Sequence, residues 1–315
     1  MEAGRQSCTS VYYKQLFIVT VIISLFFGRC FALINSTAVK DTCITSTAYQ
    51  AIEFINQLPV LTKSTHWPNI RPETFIINIR SVVNNPISIY PGNGTNFCGY
   101  GALTYLFLKD DPLGFTKLML QLYRDGKTTF RGSVFIPSRA IKKEAGQLKY
   151  KGILDIHPAE QMWFLTLAGH YKGYLNIFNR KYNPGDEDKF WASVNYAKFN
   201  RMVKNLLPYD VHSRGSDLIR PDVGDLYSYV QKQLRTGAVV LFINNRIVHK
   251  KNNVTIKLAV PTHFIVVEKL QLLNNLITMV YWDYGSKSQI QMTPSFFKRI
   301  TYGITGFTKK ISNAN

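Results

Sequence analysis

The chain of 315 residues carries 38 lysines and arginines against 19 aspartates and glutamates, so its net charge is +19, and 46% of its residues are hydrophobic. This apolar content excludes an intrinsically disordered protein, and four cysteines are too few for a disulfide-rich scaffold. No apolar run reaches the roughly 18 residues of a membrane-spanning helix, which excludes a polytopic membrane protein. The charge indicates an anionic partner: a nucleic acid, a membrane surface or a cell-wall polymer.

The amino terminus has the pattern of a secretory signal peptide. An apolar block at residues 16–27 follows Arg5 and Lys14, and Ala32 supplies a small residue for a cleavage site. We therefore predict that residues 1–32 are removed and that the mature protein is exported, to the periplasm or to the outside. An uncleaved amino-terminal membrane anchor is the alternative. Removal takes away three basic side chains and one acidic side chain, and leaves a net charge of +17.

The remaining chain, residues 33–315, is predicted to fold as one α+β domain. Residues 33–92 are expected to form an amino-terminal helix and short strands, residues 93–237 a mainly helical lobe, and residues 238–315 an antiparallel sheet lobe. The alternation of apolar residues predicts the individual elements. Helices are expected at residues 46–58, from 158, at 186–207 and at 222–235, and strands at 74–80, 87–90, 238–243, 262–267, 277–283 and 288–292.

Cys98 is the candidate nucleophile. The glycine- and asparagine-rich loop 93–99 leads into an apolar segment with the spacing of a buried helix, and Thr95 or Asn96 is a natural N-cap. Cys98 would then lie in the first helical turn, where unpaired N–H groups and the positive end of the helix dipole favour a thiolate. Gly99 leaves room for a substrate chain beside it.

His263 and Asp283 are the candidate base and its orienting partner. His263 begins an otherwise apolar strand, and Asp283 ends the next strand along the chain. A carboxylate at that place can hold one nitrogen of the imidazole ring and orient the other toward a nucleophile.

The register between these two strands decides whether the pair can form. A two-residue turn at 274–275 would pair Asp283 with Val266, on the face opposite to His263. The site therefore requires a longer loop at 271–275, a β-bulge, or an aspartate that leaves the strand and turns back.

In this order and spacing, residues 93–297 resemble the papain-like cysteine peptidases. The resemblance is carried by Cys98 at a helix start, a helix ending at Gly237 before a strand, the sequence HFIVVE around His263, and YWDYG around Asp283. The layout is most similar to the bacterial branch related to double-glycine leader peptidases. The resemblance implies a papain-like fold, in which a helical lobe carrying the nucleophile helix packs on an antiparallel sheet.

The resemblance also implies the role of each residue. Cys98 would be the nucleophile, His263 the general base and acid, and Asp283 the orienter. The family uses a side-chain amide several residues before the cysteine to bind the oxyanion. The usual glutamine is absent, because Gly92 stands six positions before Cys98, and Asn93 is the candidate substitute.

Cys43 and the known sequence motifs add no further candidate for the site. Cys43 lacks the surrounding pattern and is expected to be buried or redox-inert, with a disulfide to Cys98 as the alternative. No zinc-ligand spacing, P-loop or dinucleotide fingerprint occurs, so neither a metal nor a cofactor is expected. Only charge would support nucleic-acid binding, and no specific nucleic-acid partner is expected.

The sequence thus predicts a secreted cysteine peptidase or amidase that works through a thioester acyl-enzyme. Its expected substrates are peptides, proteins or peptidoglycan, and the positive charge favours an anionic wall or envelope surface. Two alternatives remain: a transglutaminase-like acyl transferase of the same superfamily, and a non-catalytic secreted binding protein on the same fold.

Overall fold

The structure, a computed structural model, describes residues 45–149, 151–244 and 261–309. The predicted signal peptide at residues 1–32 and Cys43 lie outside these ranges. Within them, no helix combines the length and the apolar character that crossing a bilayer requires.

Helices and strands are both well represented in the described chain. The α-helices are α1 (Ala48–Asn56), α2 (Pro72–Asn84), α3 (Cys98–Asp110), α4 (Pro112–Asp125), α5 (Arg139–Glu144), α6 (Pro158–His170), α7 (Tyr196–Leu206), α8 (Leu226–Thr236) and α9 (Pro294–Ile300), with 3₁₀ turns at Pro86–Ser88, Tyr174–Asn176 and Asp186–Asp188. The strands are β1 (Thr128–Phe130), β2 (Ser133–Phe135), β3 (Tyr209–Gly215), β4 (Gly237–Ile243), β5 (His263–Leu273), β6 (Leu276–Asp283), β7 (Ser286–Met292) and β8 (Thr301–Lys309).

The strands of the main sheet are all antiparallel to their neighbours. Six strands lie in the order β3-β8-β4-β5-β6-β7, while β1 and β2 form a separate hairpin. The described chain is therefore a mixed α+β fold of helices and an antiparallel sheet, which confirms the predicted class. The predicted strands β4 to β7 are present. β3 comes from the segment expected to be mainly helical and β8 was not predicted, and these two strands pair with each other beside β4.

Two short strands predicted near the amino terminus are wrong. Residues 74–80 lie inside helix α2, and residues 87–90 begin with the last two residues of a 3₁₀ turn and contain no strand. The run of isoleucines suggested a strand, but the buried side chains of α2 recur at helical spacing and a proline occupies its first position. Its buried residues are Phe75, Asn78, Ile79, Val82 and Val83.

Apolar side chains cover both faces of the sheet. One face joins the core formed by most of the helices, through Val240, Phe242, Phe264, Val266 and Trp282. The opposite face is covered by α8 and α9, through Val239, Leu241, Ile265, Val267 and Met279. The central strands are therefore buried on both sides, which is why β4 has a continuous apolar sequence.

Helix α3 passes through the centre of the larger core. Every residue of the helix except Lys109 is buried. Its contact with the sheet is close, because a Cβ added at Gly99 would lie 3.2 Å from the Phe264 ring and one added at Gly101 would lie 3.2 Å from Trp282. The glycines thus allow the amino-terminal half of α3 to pack directly on β5 and β6.

Candidate active site

Cys98 occupies the first position of α3. The residue preceding the helix is Phe97, which makes no side-chain cap, so the expected cap at Thr95 or Asn96 is wrong by one or two positions. The Thr95 hydroxyl instead accepts a hydrogen bond from the Phe97 N–H and donates to the Pro91 carbonyl, which fixes the loop that leads into the helix. Cys98 carries a free thiol and is 8% exposed.

His263 is held by Asp283. His263 Nε2 lies 2.6 Å from Asp283 Oδ1, and the imidazole is only 2% exposed. The other ring nitrogen, Nδ1, is buried and has no hydrogen-bond partner among the described residues. Cys98 Sγ lies 4.0 Å from the carbonyl oxygen of Thr262, the residue just before His263. The structure thus brings together the three residues that the sequence singled out.

The electrostatics of the pair favour a charged imidazole. Burial lowers the pKa of His263, but the charge and hydrogen bond of Asp283 oppose this effect, and Cys98 adds to the upward shift. The net result is a pKa raised to about 10. At neutral pH the site therefore holds an imidazolium that interacts with the Cys98 side chain.

A β-bulge brings His263 and Asp283 to one face. The β5–β6 turn is the short one, with Asn274 and Asn275 both at positive φ. An unbroken ladder from this turn would place His263 and Asp283 on opposite faces. The register shifts between Val267 and Lys269, so that one residue of β5 has no counterpart on β6. Beyond the bulge Val266 pairs with Trp282, and continuing this register puts Asp283 opposite Ile265, on the His263 face.

The bulged residue, Glu268, also links the base strand to the nucleophile helix. Its carboxylate accepts a hydrogen bond from the Tyr105 hydroxyl at 2.8 Å and from Lys109 Nζ at 3.1 Å, both on α3. Lys287 Nζ lies 3.5 Å away on its other oxygen. The irregularity that corrects the register therefore also fixes α3 against β5.

The candidate oxyanion residue Asn93 is exposed and stands apart from the thiol. Its Oδ1 accepts a hydrogen bond from the Tyr90 hydroxyl at 3.4 Å, and it does not line the cavity at Cys98. Asn96 does line this cavity, but its Nδ2 already donates to the Lys189 carbonyl and the Ser193 hydroxyl.

Packing also explains why no glutamine stands at position 92. Gly92 has a φ of +77°, and a Cβ there would lie 2.7 Å from the Lys151 carbonyl oxygen. A longer side chain would collide with the backbone, so the resemblance ends at this position.

Cys98 opens onto a cavity of about 520 Å³. Its lining combines the loop before α3, the segment around residue 190 and the residues just before β5. The lining residues are Asn96, Cys98, Tyr174, Leu175, Phe190, Ser193, Val194, Asp217, Leu218, Phe242, Pro261 and Thr262. A substrate in this cavity would lie against the thiol.

Two further residues near the site were missed by the sequence analysis. The ring of Tyr284 stacks on His263 with centroids 4.6 Å apart, and Tyr284 has a φ of +42°, an uncommon value for a tyrosine. Lys198 is 1% exposed, and its Nζ donates to the Tyr100 hydroxyl, the Asn176 Oδ1 and the Ser193 carbonyl. The position of Tyr284 next to Asp283 in the sequence could have indicated its role. Nothing in the sequence distinguishes Lys198 from the many exposed lysines.

Lys198 connects the nucleophile helix to the wall of the cavity. Tyr100 belongs to the first turn of α3, and Ser193 lines the cavity. Asn176 extends the connection, because its Nδ2 donates to the carbonyls of Phe190 and Trp191. No carboxylate is among the groups to which Lys198 donates in the described chain, and burial lowers its pKa to about 6, with smaller effects from nearby cations.

The described residues contain no group of three or more histidines, cysteines, aspartates and glutamates arranged to hold a metal ion. A scan against protein-family models, a search of curated proteins and a search of solved structures each find no match for this chain.

Proposed function

We propose that this protein is a cysteine-type amide hydrolase, a peptidase or amidase, whose helices and sheet are arranged as in the papain-like enzymes. One observation carries the proposal. Asp283 holds one nitrogen of the buried His263 ring, while the other nitrogen has no hydrogen-bond partner among the described residues and the ring interacts with a free thiol at a helix start. A nucleophile, a base and an orienter in this relation are what acyl transfer requires.

The proposed reaction has two steps. The Cys98 thiolate attacks the amide carbonyl carbon, and the His263 imidazolium then gives its proton to the leaving nitrogen as the C–N bond breaks, which leaves a thioester. A water molecule, deprotonated by His263, attacks the thioester, releases the carboxylic acid and regenerates Cys98. The backbone N–H of Cys98 has no acceptor within the helix, because it belongs to the first turn, and can donate to the oxyanion.

A non-catalytic binding protein on the same fold is the second candidate. It is favoured by the lack of a side-chain donor for the oxyanion at either candidate position. Gly92 cannot be replaced by a larger residue without a collision, and Asn93 does not line the cavity. Losing one oxyanion donor typically lowers kcat by about 10²- to 10³-fold. Without a side-chain donor the protein would therefore be a slow enzyme or a binding protein.

Thiol reactivity tests the proposal before any substrate is known. We expect iodoacetamide to alkylate Cys98 at pH 6 at least about tenfold faster than free cysteine, since an imidazolium stabilises the thiolate. His263→Ala should bring the rate down to that of free cysteine, and peptide mapping by mass spectrometry identifies the labelled residue. A wild-type rate no faster than that of free cysteine would contradict an enzymatic function.

Profiling with peptides and muropeptides then identifies the reaction. Wild-type protein should release products that Cys98→Ala does not, and a thioester adduct on Cys98 should accumulate when the reaction is quenched with acid. Products joined to an added amine would indicate acyl transfer instead of hydrolysis. Binding without turnover by both proteins would support the second candidate.

A further inference from the structure

The cavity beside Cys98 has a mainly apolar wall that continues onto the surface. Leu175, Val194 and Phe242 line its interior, while Leu218 and Phe190 at its edge are 75% and 58% exposed. Large apolar side chains left in water at the rim of a cavity mark a surface that binds an apolar group. Because this wall is continuous with the Cys98 thiol, the apolar group belongs to the molecule that Cys98 attacks.

Asp217 supplies the charge of this cavity. It is the only charged side chain among the described residues that line it. Its Oδ1 accepts a hydrogen bond from the Tyr196 backbone N–H at 2.8 Å, which fixes the carboxylate at the start of α7. The charge carried by the described residues that line the cavity is therefore negative, although the whole chain has a net charge of +19. A negative group near the thiol attracts cationic substrates and repels acidic ones.

We propose that the cavity beside Cys98 binds a peptide in which a bulky apolar residue adjoins a basic residue, and that Asp217 is the residue that selects the basic side chain over an acidic one. This inference rests on the proposed function and names its substrate class. It opposes the expectation, drawn from net charge, of an anionic wall or envelope substrate. The overall charge describes the surface, whereas selection at the thiol depends on the groups that line the cavity.

Peptide-directed alkylation tests the substrate class. The probes are acetylated dipeptidyl acyloxymethyl ketones in which leucine, phenylalanine, alanine, lysine and glutamate are placed at both positions. In each reaction the Cys98 sulfur forms a thioether and the carboxylate leaves. We expect leucine–lysine combinations to react about fivefold faster than the matching leucine–glutamate probes. Replacing the bulky residue by alanine should slow the reaction by about tenfold or more.

Matched variants identify the residues responsible. Asp217→Asn keeps an oxygen for the Tyr196 N–H and should abolish the preference for lysine over glutamate. Asp125→Asn, which removes an exposed carboxylate that does not line the cavity, should retain this preference. Leu218→Ser should slow the leucine probes, while Leu273→Ser, which changes an equally exposed leucine in the β5–β6 hairpin, should not. Iodoacetamide rates of each variant normalise for the intrinsic reactivity of the thiol.

The outcomes separate this inference from the proposed function. If iodoacetamide labels Cys98 rapidly but glutamate probes react as fast as lysine probes, the substrate class is wrong and the enzyme proposal stands. A lysine preference that survives Asp217→Asn would also overturn it. If Cys98 is unreactive, calorimetric binding of the corresponding peptide amides to Cys98→Ala protein tests the same preference without catalysis. Equal affinities for lysine and glutamate peptides would then overturn the inference.

Discussion

His263 and Asp283 meet at 2.6 Å because a β-bulge takes up the one residue by which the strand that carries the histidine is longer than its partner strand requires. The extra residue, Glu268, is accommodated as a bulge, and from there to the site every side chain of β5 points to the face opposite to the one an unbroken ladder would give it. The same residue contacts the nucleophile helix. The backbone of Glu268 therefore forms the bulge, while its side chain holds the nucleophile helix.

Deleting Glu268 removes both the bulge and the side-chain contacts with α3. The deletion leaves Val267 opposite Tyr281 and Lys269 opposite Val280 in a regular ladder, so Asp283 stays on the His263 face. We expect the shortened protein to keep Cys98 reactivity and any peptidase activity. It should lose about 1–3 kcal/mol of unfolding free energy, because Tyr105 and Lys109 lose a charged hydrogen-bond partner.

The control for the deletion is Glu268→Ala, which removes the same contacts and keeps the bulge. Urea unfolding should show similar losses for the two variants, and thiol alkylation should show similar rates. If the deletion abolished reactivity and Glu268→Ala did not, the local geometry of the bulge would be needed to position His263. Placing His263 and Asp283 on the same face of the sheet would then not be sufficient.

The pH dependence of activity is the second prediction. The raised pKa of His263 implies that its general-acid function is lost as the pH rises through about 10. In Asp283→Asn the carboxylate that raises the pKa of His263 is gone, and burial then lowers this pKa. The alkaline limb of kcat/KM should therefore move to lower pH. An NMR titration of the His263 ring gives the same shift without turnover. Asp125→Asn serves as the control, and an unchanged alkaline limb in Asp283→Asn would contradict the pairing.

Stability should follow the same ionisation. His263 has a higher pKa folded than its usual 6.5, so its stabilising contribution is complete below about pH 6.5 and is lost as the pH rises through about 10. Wild type and Asp283→Asn should therefore differ most in unfolding free energy near pH 6.5 and should converge above pH 10. Urea unfolding at a series of pH values measures the difference.

Lys198 should show the opposite pH dependence. Its pKa is lowered to about 6, so between pH 6 and 10.5 the unfolded chain binds the extra proton and stability rises with pH. Relative to Lys198→Met, wild-type unfolding free energy should increase by up to about 1.4 kcal/mol per pH unit in this range. Lys204→Met, an exposed position of α7, controls for the loss of a lysine. If the unfolding free energies of wild type and Lys198→Met changed in parallel with pH, the three acceptors around Lys198 would keep its side chain charged.

Gly92→Ala tests why the family glutamine is missing. Gly92 and Gly132 have similar φ values of +77° and +79°, but a Cβ at Gly132 would have nothing within 4 Å, whereas one at Gly92 would meet the Lys151 carbonyl. Both alanine variants should lose about 1–2 kcal/mol from the strained backbone. Gly92→Ala should lose about 1–3 kcal/mol more from the collision. Equal losses in urea unfolding would show that the Lys151 segment moves away readily.

Many of the individual helices and strands could be predicted from the sequence. Proline at a first helical turn predicted α6, the glycine after Thr236 predicted the end of α8, and alternating apolar residues predicted β4 to β7. Helix α2 was mistaken for a strand because β-branched residues dominate its middle, although its buried positions follow a helical spacing. β8 was missed because three of its nine residues are glycine or lysine, and no local pattern records that it lies between β3 and β4.

The sequence by itself determined which residue types could perform chemistry: a cysteine after a glycine-rich loop, a histidine opening an apolar strand and an aspartate closing the next one. Only the tertiary structure decided whether they meet, because facing depends on a one-residue register shift that no local pattern records. The same holds for Asp217 and Lys198, whose neighbours come from distant segments. The net charge of +19 is a sum over the sequence, whereas the charge of the cavity beside the thiol is that of the few side chains that folding brings to its lining.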